Sequence, residues 1–224
     1  MTITRPKAVI FDIIETVFAL EALRDDFEAL SLARSDLETW FAFGLRDAFA
    51  LDATGSIQPF PKILSGALDE LLAVRGLETS QEAHDTMFET MRALPAHADA
   101  HEAFTVLRQA GIPLYALSNG ARESTENLLK KAGLTHHFED ILSVETVGRF
   151  KPARPVYEHA VSVCGVRAEE AMLVATHAWD VHGAKSAGLS GAFVARGQAY
   201  PKTMLAPDLV GDELLDVAKA IAGS

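Results

Sequence analysis

One short stretch decides the fold: Lys7-Ala8-Val9-Ile10-Phe11-Asp12, followed by Ile13-Ile14-Glu15-Thr16. An uninterrupted apolar run that ends in a single carboxylate predicts a fully buried strand with an acid at its end. In open α/β folds the carboxyl edge of the sheet is where ligands bind. Asp12 is therefore the first candidate for a reacting group.

The composition is that of an ordinary globular chain. The 224 residues are 49% hydrophobic and 23% charged, which suits one large domain or a core with a smaller insertion. The net charge of −11 argues against a nucleic-acid partner. It also gives no long-range attraction to an anion, so an anion site must be built locally from Lys, Arg or backbone N–H groups.

The cellular location is predicted from what the sequence lacks. The single cysteine, Cys164, excludes an intrachain disulfide and fits a reducing compartment. We see neither a basic segment followed by an apolar run, typical of a secretory signal, nor an apolar stretch long enough to cross a bilayer. We therefore expect a cytoplasmic protein without membrane contact.

The middle of the chain differs from its two ends. Helical apolar spacing without strand signals predicts, in the middle, helices at residues 21–33, 37–51 (capped by Asp36), 60–75 and 80–93. From residue 99 helices alternate with strands; the strands are predicted at 112–117, 140–143, 171–175 and 191–195, and the helices at 100–110, 122–132, 154–164, 181–187 and 212–222. This alternation predicts a Rossmann-like, doubly wound parallel sheet over residues 1–17 and 98–224, with an inserted α-helical cap over 18–97.

Polar residues follow three of the predicted strands. Asp12 ends the first strand, Ser118-Asn119 ends the second, and His177 to Asp180 follow the strand at 171–175. Lys151 lies in the loop before a predicted helix. Because the carboxyl ends of parallel strands share one edge of a sheet, these side chains are expected to form one site.

The same residues resemble the four motifs of the haloacid dehalogenase superfamily. In chain order they are Phe11-Asp12-x-x-x-Thr16, Leu117-Ser118-Asn119-Gly120, Lys151-Pro152 and Trp179-Asp180. The resemblance covers nearly the whole chain, and a helical cap between the first two motifs is also that family's arrangement. Lys151-Pro152-x-x-x-x-Tyr157 and Ala178-Trp179-Asp180 look most like the L-2-haloacid dehalogenase branch.

Two features depart from the superfamily's phosphatases. Those enzymes carry a second aspartate, which protonates the leaving alcohol, two residues after the nucleophile; here Ile14 stands there. They also hold Mg²⁺ with acids near the fourth strand, where this chain has Ala175, Thr176 and His177. The resemblance therefore implies a metal-independent hydrolase with no cofactor; if Mg²⁺ were used, its ligands would be Asp12 and Asp180.

The dehalogenase branch implies a reaction through a covalent ester. Its aspartate attacks the carbon that bears the halogen of a small 2-haloalkanoic acid such as haloacetate, and water then releases the 2-hydroxy acid. The resemblance implies four catalytic residues: Asp12 as nucleophile, Lys151 paired with it, Thr16 bonded to it, and Asp180 activating the water. It implies as substrate-binding residues Ser118, Asn119, Tyr157 and Trp179.

Several positions also depart from the dehalogenase branch. Ile14 replaces an aromatic residue, Glu15 replaces a glycine, and the cap arginine that binds halide falls at Phe41 or Phe43. Arg46 lies on roughly the same helix face as Phe43. It either takes over halide binding or is a surface residue paired with Asp47 or Asp52.

His177 is left with two interpretations. It replaces an asparagine of the branch, and it either holds the hydrolytic water or a halide, or it is a packed spacer. His136-His137 are expected to point apart on an exposed loop, with no third ligand near in sequence, so no metal site is predicted there.

Two other functions remain open. One is a hydrolase of the same superfamily with another substrate, such as a phosphatase with weak Mg²⁺ use. The other is a degenerate fold without dehalogenase activity. The expected partner is a small carboxylic acid, and the aromatic stripe at residues 40–49 is expected to be core or a seam that suits a homodimer contact.

Overall fold

The structure is a computed structural model, and it describes residues 4–224. The chain forms two compact units. One, which we call the core unit, contains the described residues up to Phe18 together with Ala96–Ser224; the other, the helical unit, is Ala19–Pro95.

The core unit is built on a parallel sheet. Its strands are β1 (Ala8–Phe11), β2 (Leu114–Ser118), β3 (Phe138–Ser143), β4 (Ala171–Ala175), β5 (Ser190–Val194) and β6 (Leu209–Gly211). The order in the sheet is β3-β2-β1-β4-β5-β6, and every pairing is parallel. Every residue of β1 is buried, as its apolar run predicts. The predicted Rossmann-like α/β fold is therefore confirmed.

The helical unit contains a 3₁₀ turn and four α-helices within the residues described. The turn is Leu20–Leu23, and the helices are α1 (Arg24–Ala29), α2 (Asp36–Thr54), α3 (Phe60–Val74) and α4 (Gln81–Met91). Trp40 is fully buried, packs against Phe27 at 5.7 Å between ring centroids, and donates from Nε1 to the carbonyl of Leu64 at 2.9 Å. Gly44 lets α2 approach α3 closely, because a Cβ there would lie 2.5 Å from the Leu64 side chain.

Helices connect the strands of the core unit. They are α5 (Ala100–Gln109), α6 (Arg122–Lys131), α7 (Arg154–Cys164), α8 (Ala178–Ser186) and α9 (Leu214–Ala222). Among residues 4–224, no helix combines the length and the apolarity that a membrane crossing requires.

Four predictions of local structure were wrong. The helix expected at 21–33 is a 3₁₀ turn followed by the shorter α1, which ends before Ser31 takes a φ of 62°. Asp36 is the first residue of α2 rather than its cap: its carboxylate accepts from the Ala33 N–H at 3.0 Å and pairs with Arg75. The strand β6 was missed, and α8 begins three residues earlier than expected, at Ala178.

The histidine pair at 136–137 also differs from its prediction. These residues form a 3₁₀ turn, Thr135–His137, in which neighbouring side chains do not alternate as they do in extended chain. The two ring centroids therefore lie only 4.0 Å apart. In the aromatic stripe, Trp40 and Phe41 are buried and Phe43 and Phe49 half-buried, and a homodimer contact there stays a prediction.

Candidate active site

The sheet order places Asp12 at the point where the direction of strand addition reverses. β1 lies between β2 and β4, and the chain adds strands on one side as far as β3 and then on the other from β4 onward. This is the position at which open α/β sheets bind ligands, outside the carboxyl ends of the strands. Asp12 follows β1 directly and is 5% exposed.

A buried lysine joins two carboxylates. The ammonium of Lys151 donates to Oδ1 of Asp12 at 2.7 Å, to Oδ2 of Asp180 at 2.7 Å and to the Leu117 carbonyl at 3.2 Å. Its three N–H donors are thereby satisfied, as a lysine that is 1% exposed requires. The structure thus brings together Asp12, Lys151 and Asp180, which are three of the four residues predicted to be catalytic.

Tyr157 holds Asp180, one of the two carboxylates bonded to Lys151. Its hydroxyl donates to Oδ1 of Asp180 at 2.6 Å, so the support that it gives to Lys151 passes through Asp180. The sequence reasoning missed Gly183, which makes room for Tyr157. A Cβ at Gly183 would lie 2.6 Å from the Tyr157 hydroxyl and 2.5 Å from Cβ of Pro152.

Thr16 fixes the other oxygen of the Asp12 carboxylate. Its hydroxyl donates to Oδ2 of Asp12 at 2.7 Å and accepts from the backbone N–H of Thr176 at 3.0 Å. Thr176 was not predicted as a site residue, and the motif spacing carries no signal for a backbone donor. The loop after β1 is in this way joined to the end of β4.

Glu15 occupies a backbone conformation that side chains rarely adopt. Its φ is 63°, in the left-handed region where glycine sits without penalty. Its carbonyl is in hydrogen-bond contact with Nε2 of His97 at 3.0 Å, and the next carbonyl, of Thr16, accepts from Arg196 at 3.1 Å. His97 and Arg196 were both missed by sequence reasoning. The conformation explains why a glycine suits this position, and why a glutamate there needs a separate reason.

His177 faces the nucleophile loop. It lies just before α8, and its Nε2 is 3.7 Å from Oδ2 of Asp12 and 3.5 Å from Oε2 of Glu15. Its ring stacks on that of Trp179, with the centroids 5.1 Å apart. Nζ of Lys151 lies 5.8 Å from the centre of the Trp179 ring. His177 thus lies beside two carboxylates, and its role stays a prediction.

Ser118 and Asn119 lie at the end of β2. Oγ of Ser118 accepts from the Gly120 N–H at 2.9 Å, and Oδ1 of Asn119 accepts from the Lys151 backbone N–H at 3.0 Å. The acceptor atoms are thus occupied, whereas the serine O–H and the asparagine NH₂ are donors. Donors at this edge are the groups that a carboxylate ligand needs.

Asp12 and Asp180 have pKa values shifted in opposite directions. Burial acts to raise the pKa of Asp12, but Lys151, His177 and the hydrogen bond from Thr16 outweigh it, so the pKa lies below its ordinary value. Burial raises the pKa of Asp180, and the nearby Asp12 charge adds to this, so that Lys151 compensates only in part. Burial would lower the pKa of Lys151, but its two carboxylate partners raise it. The ionised form is therefore favoured at Asp12.

The donor set does not fit Mg²⁺. The ion requires near-octahedral oxygen ligands. Asp12 and Asp180 are the acids that would supply them, but the Lys151 ammonium bridges them, and the second oxygen of Asp180 accepts from Tyr157. Among residues 4–224, no group of three or more acidic, histidine or cysteine side chains converges at this site.

Arg46 lies in the helical unit and is exposed. Its guanidinium pairs with Oε2 of Glu70 at 2.5 Å and Oδ1 of Asp47 at 2.8 Å, and it stands over the Phe43 ring at 4.7 Å. Asp47 is one of the two partners expected for a surface arginine. A halide contact of Arg46 stays a prediction.

Comparison with known proteins identifies the family of the chain. A family model described as a haloacid dehalogenase-like hydrolase matches residues 6–188. An (S)-2-haloacid dehalogenase of Xanthobacter autotrophicus is 29% identical, over 97% of this chain and 95% of that protein. A phosphoserine phosphatase of Thermus thermophilus is 32% identical, over 82% of this chain and 74% of that protein.

Comparison with solved structures also finds a dehalogenase. The L-2-haloacid dehalogenase of Xanthobacter autotrophicus, with chloropropionic acid covalently bound, matches with a TM-score of 0.89 at 26% identity, over 97% of this chain and 99% of that one. A parallel sheet with a buried carboxylate at its switch point places the chain in the doubly wound α/β class. The chain belongs to the haloacid dehalogenase-like hydrolase family.

Proposed function

We propose that this chain hydrolyses the carbon–halogen bond of a small 2-halo carboxylic acid and releases halide and the 2-hydroxy acid. One observation carries the proposal. The nucleophile Asp12 is held by a buried Lys151, and the residue two positions on is Ile14, which cannot protonate a leaving group. A halide leaves without a proton, whereas an alkoxide leaving from a phosphate ester needs one.

The first step makes an ester. One carboxylate oxygen of Asp12 attacks the carbon that bears the halogen; the C–O bond forms, and the C–X electron pair leaves with the halide. Lys151 and Thr16 hold the two oxygens of Asp12, which keeps the carboxylate ionised and oriented. The relative with chloropropionic acid covalently bound supports an intermediate of this kind.

The second step cleaves the ester with water. The water oxygen attacks the carbonyl carbon of the Asp12 ester while a base takes one water proton. The bond between that carbon and the product oxygen then breaks, the protonated base gives its proton to the product alkoxide, and Asp12 releases the second water proton to solvent and is ionised again. We assign His177 as the base, oriented by Glu15, because its Nε2 lies 3.7 Å from an Asp12 oxygen. Asp180, the base predicted from the sequence, has its two oxygens bonded to Lys151 and Tyr157 and is the second candidate.

The remaining residues bind and position the substrate. We propose that the Ser118 hydroxyl and the Asn119 amide donate to the substrate carboxylate, since their acceptor atoms already have partners. Trp179 forms the wall beside His177. Tyr157 is a positioning residue, because its buried hydroxyl is bonded to Asp180. The cytoplasmic location stays a prediction from the sequence.

A phosphatase is the second candidate function. The phosphoserine phosphatase relative favours it. The absence of a proton donor at Ile14 and the unsuitable magnesium donor set weigh against it.

The test measures two products side by side. The protein is incubated with 2-chloropropionate, with chloro-, bromo- and fluoroacetate, and with an aryl phosphate, each with Mg²⁺ and with a chelator. We expect halide release that the chelator leaves unchanged and that Asp12→Asn abolishes. Phosphate release that requires Mg²⁺, without halide release, would overturn the proposal, and no turnover of any substrate would favour the degenerate fold.

Isotope labelling tests the intermediate. In a single turnover in H₂¹⁸O, water attacks the Asp12 carbonyl, so the label enters the protein and the product carries an oxygen that came from Asp12. Label in the first product molecule would show direct attack of water on the substrate and would contradict the ester.

A further inference from the structure

Three histidines meet at a place that the proposed reaction does not use. His101 lies in the first turn of α5, and His136 and His137 form the end of the 3₁₀ turn before β3. One ring nitrogen of each histidine lies within 4.8 Å of one nitrogen of both others. The turn enters β3 at its amino end, whereas Asp12 follows the carboxyl end of the parallel β1, so the cluster and the nucleophile belong to opposite edges of the sheet.

The buried member has a nitrogen without a partner. His137 is 5% exposed, and its Nε2 has no hydrogen-bonding partner among the residues that the structure describes. Burial, together with the neighbouring His136, His101 and Arg108, lowers the pKa of His137 to about 4. An imidazole nitrogen that lacks a hydrogen-bonding partner is available as a metal ligand.

Packing alone explains only part of this arrangement. The His137 ring contacts the Phe104 ring at 5.7 Å between centroids, which accounts for its burial. It does not explain why Nε2 is left without a partner, since a buried polar atom of this kind costs free energy. Nor does it explain why the ring of the exposed His101, on another element, lies 5.1 Å from that of His137; the 4.0 Å between His136 and His137 follows from the 3₁₀ turn.

We propose that His101, His136 and His137 bind one borderline divalent transition-metal ion, of which Zn²⁺ is the test case. Imidazole ligands suit Zn²⁺, Ni²⁺ and Cu²⁺, whereas Mg²⁺ and Ca²⁺ prefer oxygen. With Zn–N bonds of about 2.0–2.1 Å, tetrahedral ligand atoms lie about 3.3 Å apart. His101 and His136 are exposed and reach this spacing from 4.8 Å by side-chain rotation, while the packed His137 stays fixed.

The surroundings leave coordination positions for water or an external ligand. The three histidines open into a cavity of about 370 Å³, also lined by Thr105, Arg108 and Gln109. The positive charge of Arg108 is offset by its ion pair with Glu139. A bound ion would tie α5 to the turn before the edge strand β3, so it would stabilise the folded chain by mass action.

Metal titration of the full-length chain tests the site. After treatment with a chelator and its removal, Zn²⁺ is titrated by calorimetry, and Co²⁺ by its visible d–d absorption, which reports imidazole coordination. We expect one ion per chain and, at a free Zn²⁺ concentration of about 100 times Kd, a rise in Tm of roughly 5–10 °C.

Single substitutions assign the ligands. His101→Ala and His136→Ala replace exposed side chains, and we expect each to weaken binding at least tenfold and to remove the rise in Tm, with halide release unchanged. His159→Ala, on α7 outside the cluster, is the matched control and should bind as the parent does. Unchanged affinity in both cluster variants would overturn the proposal. So would an ion that is lost with His177→Ala instead, since it would then lie at the nucleophile.

Discussion

Nε2 of His177 lies 3.5 Å from Oε2 of Glu15, and the same nitrogen lies 3.7 Å from Oδ2 of Asp12. The glutamate holds this position with a φ of 63°, a conformation that costs an L-residue about 1–2 kcal/mol. A glycine would relieve this cost but would leave His177 without its neighbouring carboxylate. In the mechanism that we propose, the strained residue is the one whose charge orients the base.

Substitution of Glu15 should distinguish the effect of its backbone strain on stability from the effect of its carboxylate on catalysis. Glu15→Gly removes the strained side chain, and we expect the free energy of unfolding to rise by up to about 1 kcal/mol. The rise is smaller than the relieved strain because glycine also gives the unfolded chain more conformational entropy. Both Glu15→Gly and Glu15→Gln should slow ester hydrolysis by about 10²-fold, because His177 loses its orienting carboxylate. Rapid-quench kinetics would then show a burst of one halide per chain before slow turnover.

Glu15→Gln is the matched control for strain, because it keeps the strained backbone and the size of the side chain. It should lose activity without gaining stability. Full activity of Glu15→Gln would transfer the role of base from His177 to Asp180.

Removal of the lysine should damage both stability and chemistry. Lys151→Met leaves Asp12 and Asp180 as neighbouring buried carboxylates, and we expect the free energy of unfolding to fall by about 3–5 kcal/mol. Halide release should become undetectable, because the pKa of Asp12 then rises. Urea unfolding and a halide electrode measure the two effects.

The double variant Asp12→Asn with Lys151→Met provides the check. Since it removes one carboxylate along with the ammonium, it should be more stable than Lys151→Met alone. Additive losses from the two single changes would show that Lys151 and Asp12 are not coupled.

Tyr157→Phe should lower turnover without weakening substrate binding. The change removes a 2.6 Å hydrogen bond to Asp180 and should lower the free energy of unfolding by about 1.5–3 kcal/mol. Because the hydroxyl is buried and bonded to Asp180, we expect kcat to fall while KM stays constant. A raised KM with an unchanged kcat would instead make Tyr157 the substrate contact that the sequence predicted.

Stability should depend on pH through Asp12. Its folded-state pKa lies below the ordinary value of 3.8, so the ionised carboxylate stabilises the fold above that value, and the contribution is lost as the pH falls through the folded pKa. The difference in free energy of unfolding between the parent and Asp12→Asn should therefore be constant above about pH 5 and shrink at lower pH. Urea denaturation at a series of pH values measures it. A difference that grows on acidification would mean that the pKa of Asp12 is raised in the folded chain.

Much of the core could be predicted because its signals are local. The apolar run of β1 and the acid that ends it follow from burial on both faces of a parallel sheet. Helix boundaries were less certain where the chain begins a helix without a capping side chain. The helix α8 starts at Ala178, and the preceding His177 makes no capping hydrogen bond with its side chain that would mark the start in the sequence. β6 is only three residues long and half exposed, so it has no apolar pattern to detect.

The parts of the site that were missed depend on tertiary contacts. His97 and Arg196 bind backbone carbonyls of the nucleophile loop, although they are 82 and 180 residues away from their partners in sequence. No spacing within one element predicts such a pair. The histidine cluster was dismissed for the same reason, since His101 joins His136 only after α5 has packed beside the turn.

The hydroxyl of Thr16 accepts a hydrogen bond from the backbone N–H of Thr176 and donates one to Asp12. These two hydrogen bonds, with the ammonium of Lys151 on the other oxygen, hold the carboxylate of Asp12 in one orientation. The conformational entropy of aiming the carboxylate is thus lost during folding and not when substrate arrives. Shortening Thr16 to serine keeps this ordering, whereas valine, which has the same shape without the hydroxyl, returns Asp12 to a mixture of orientations.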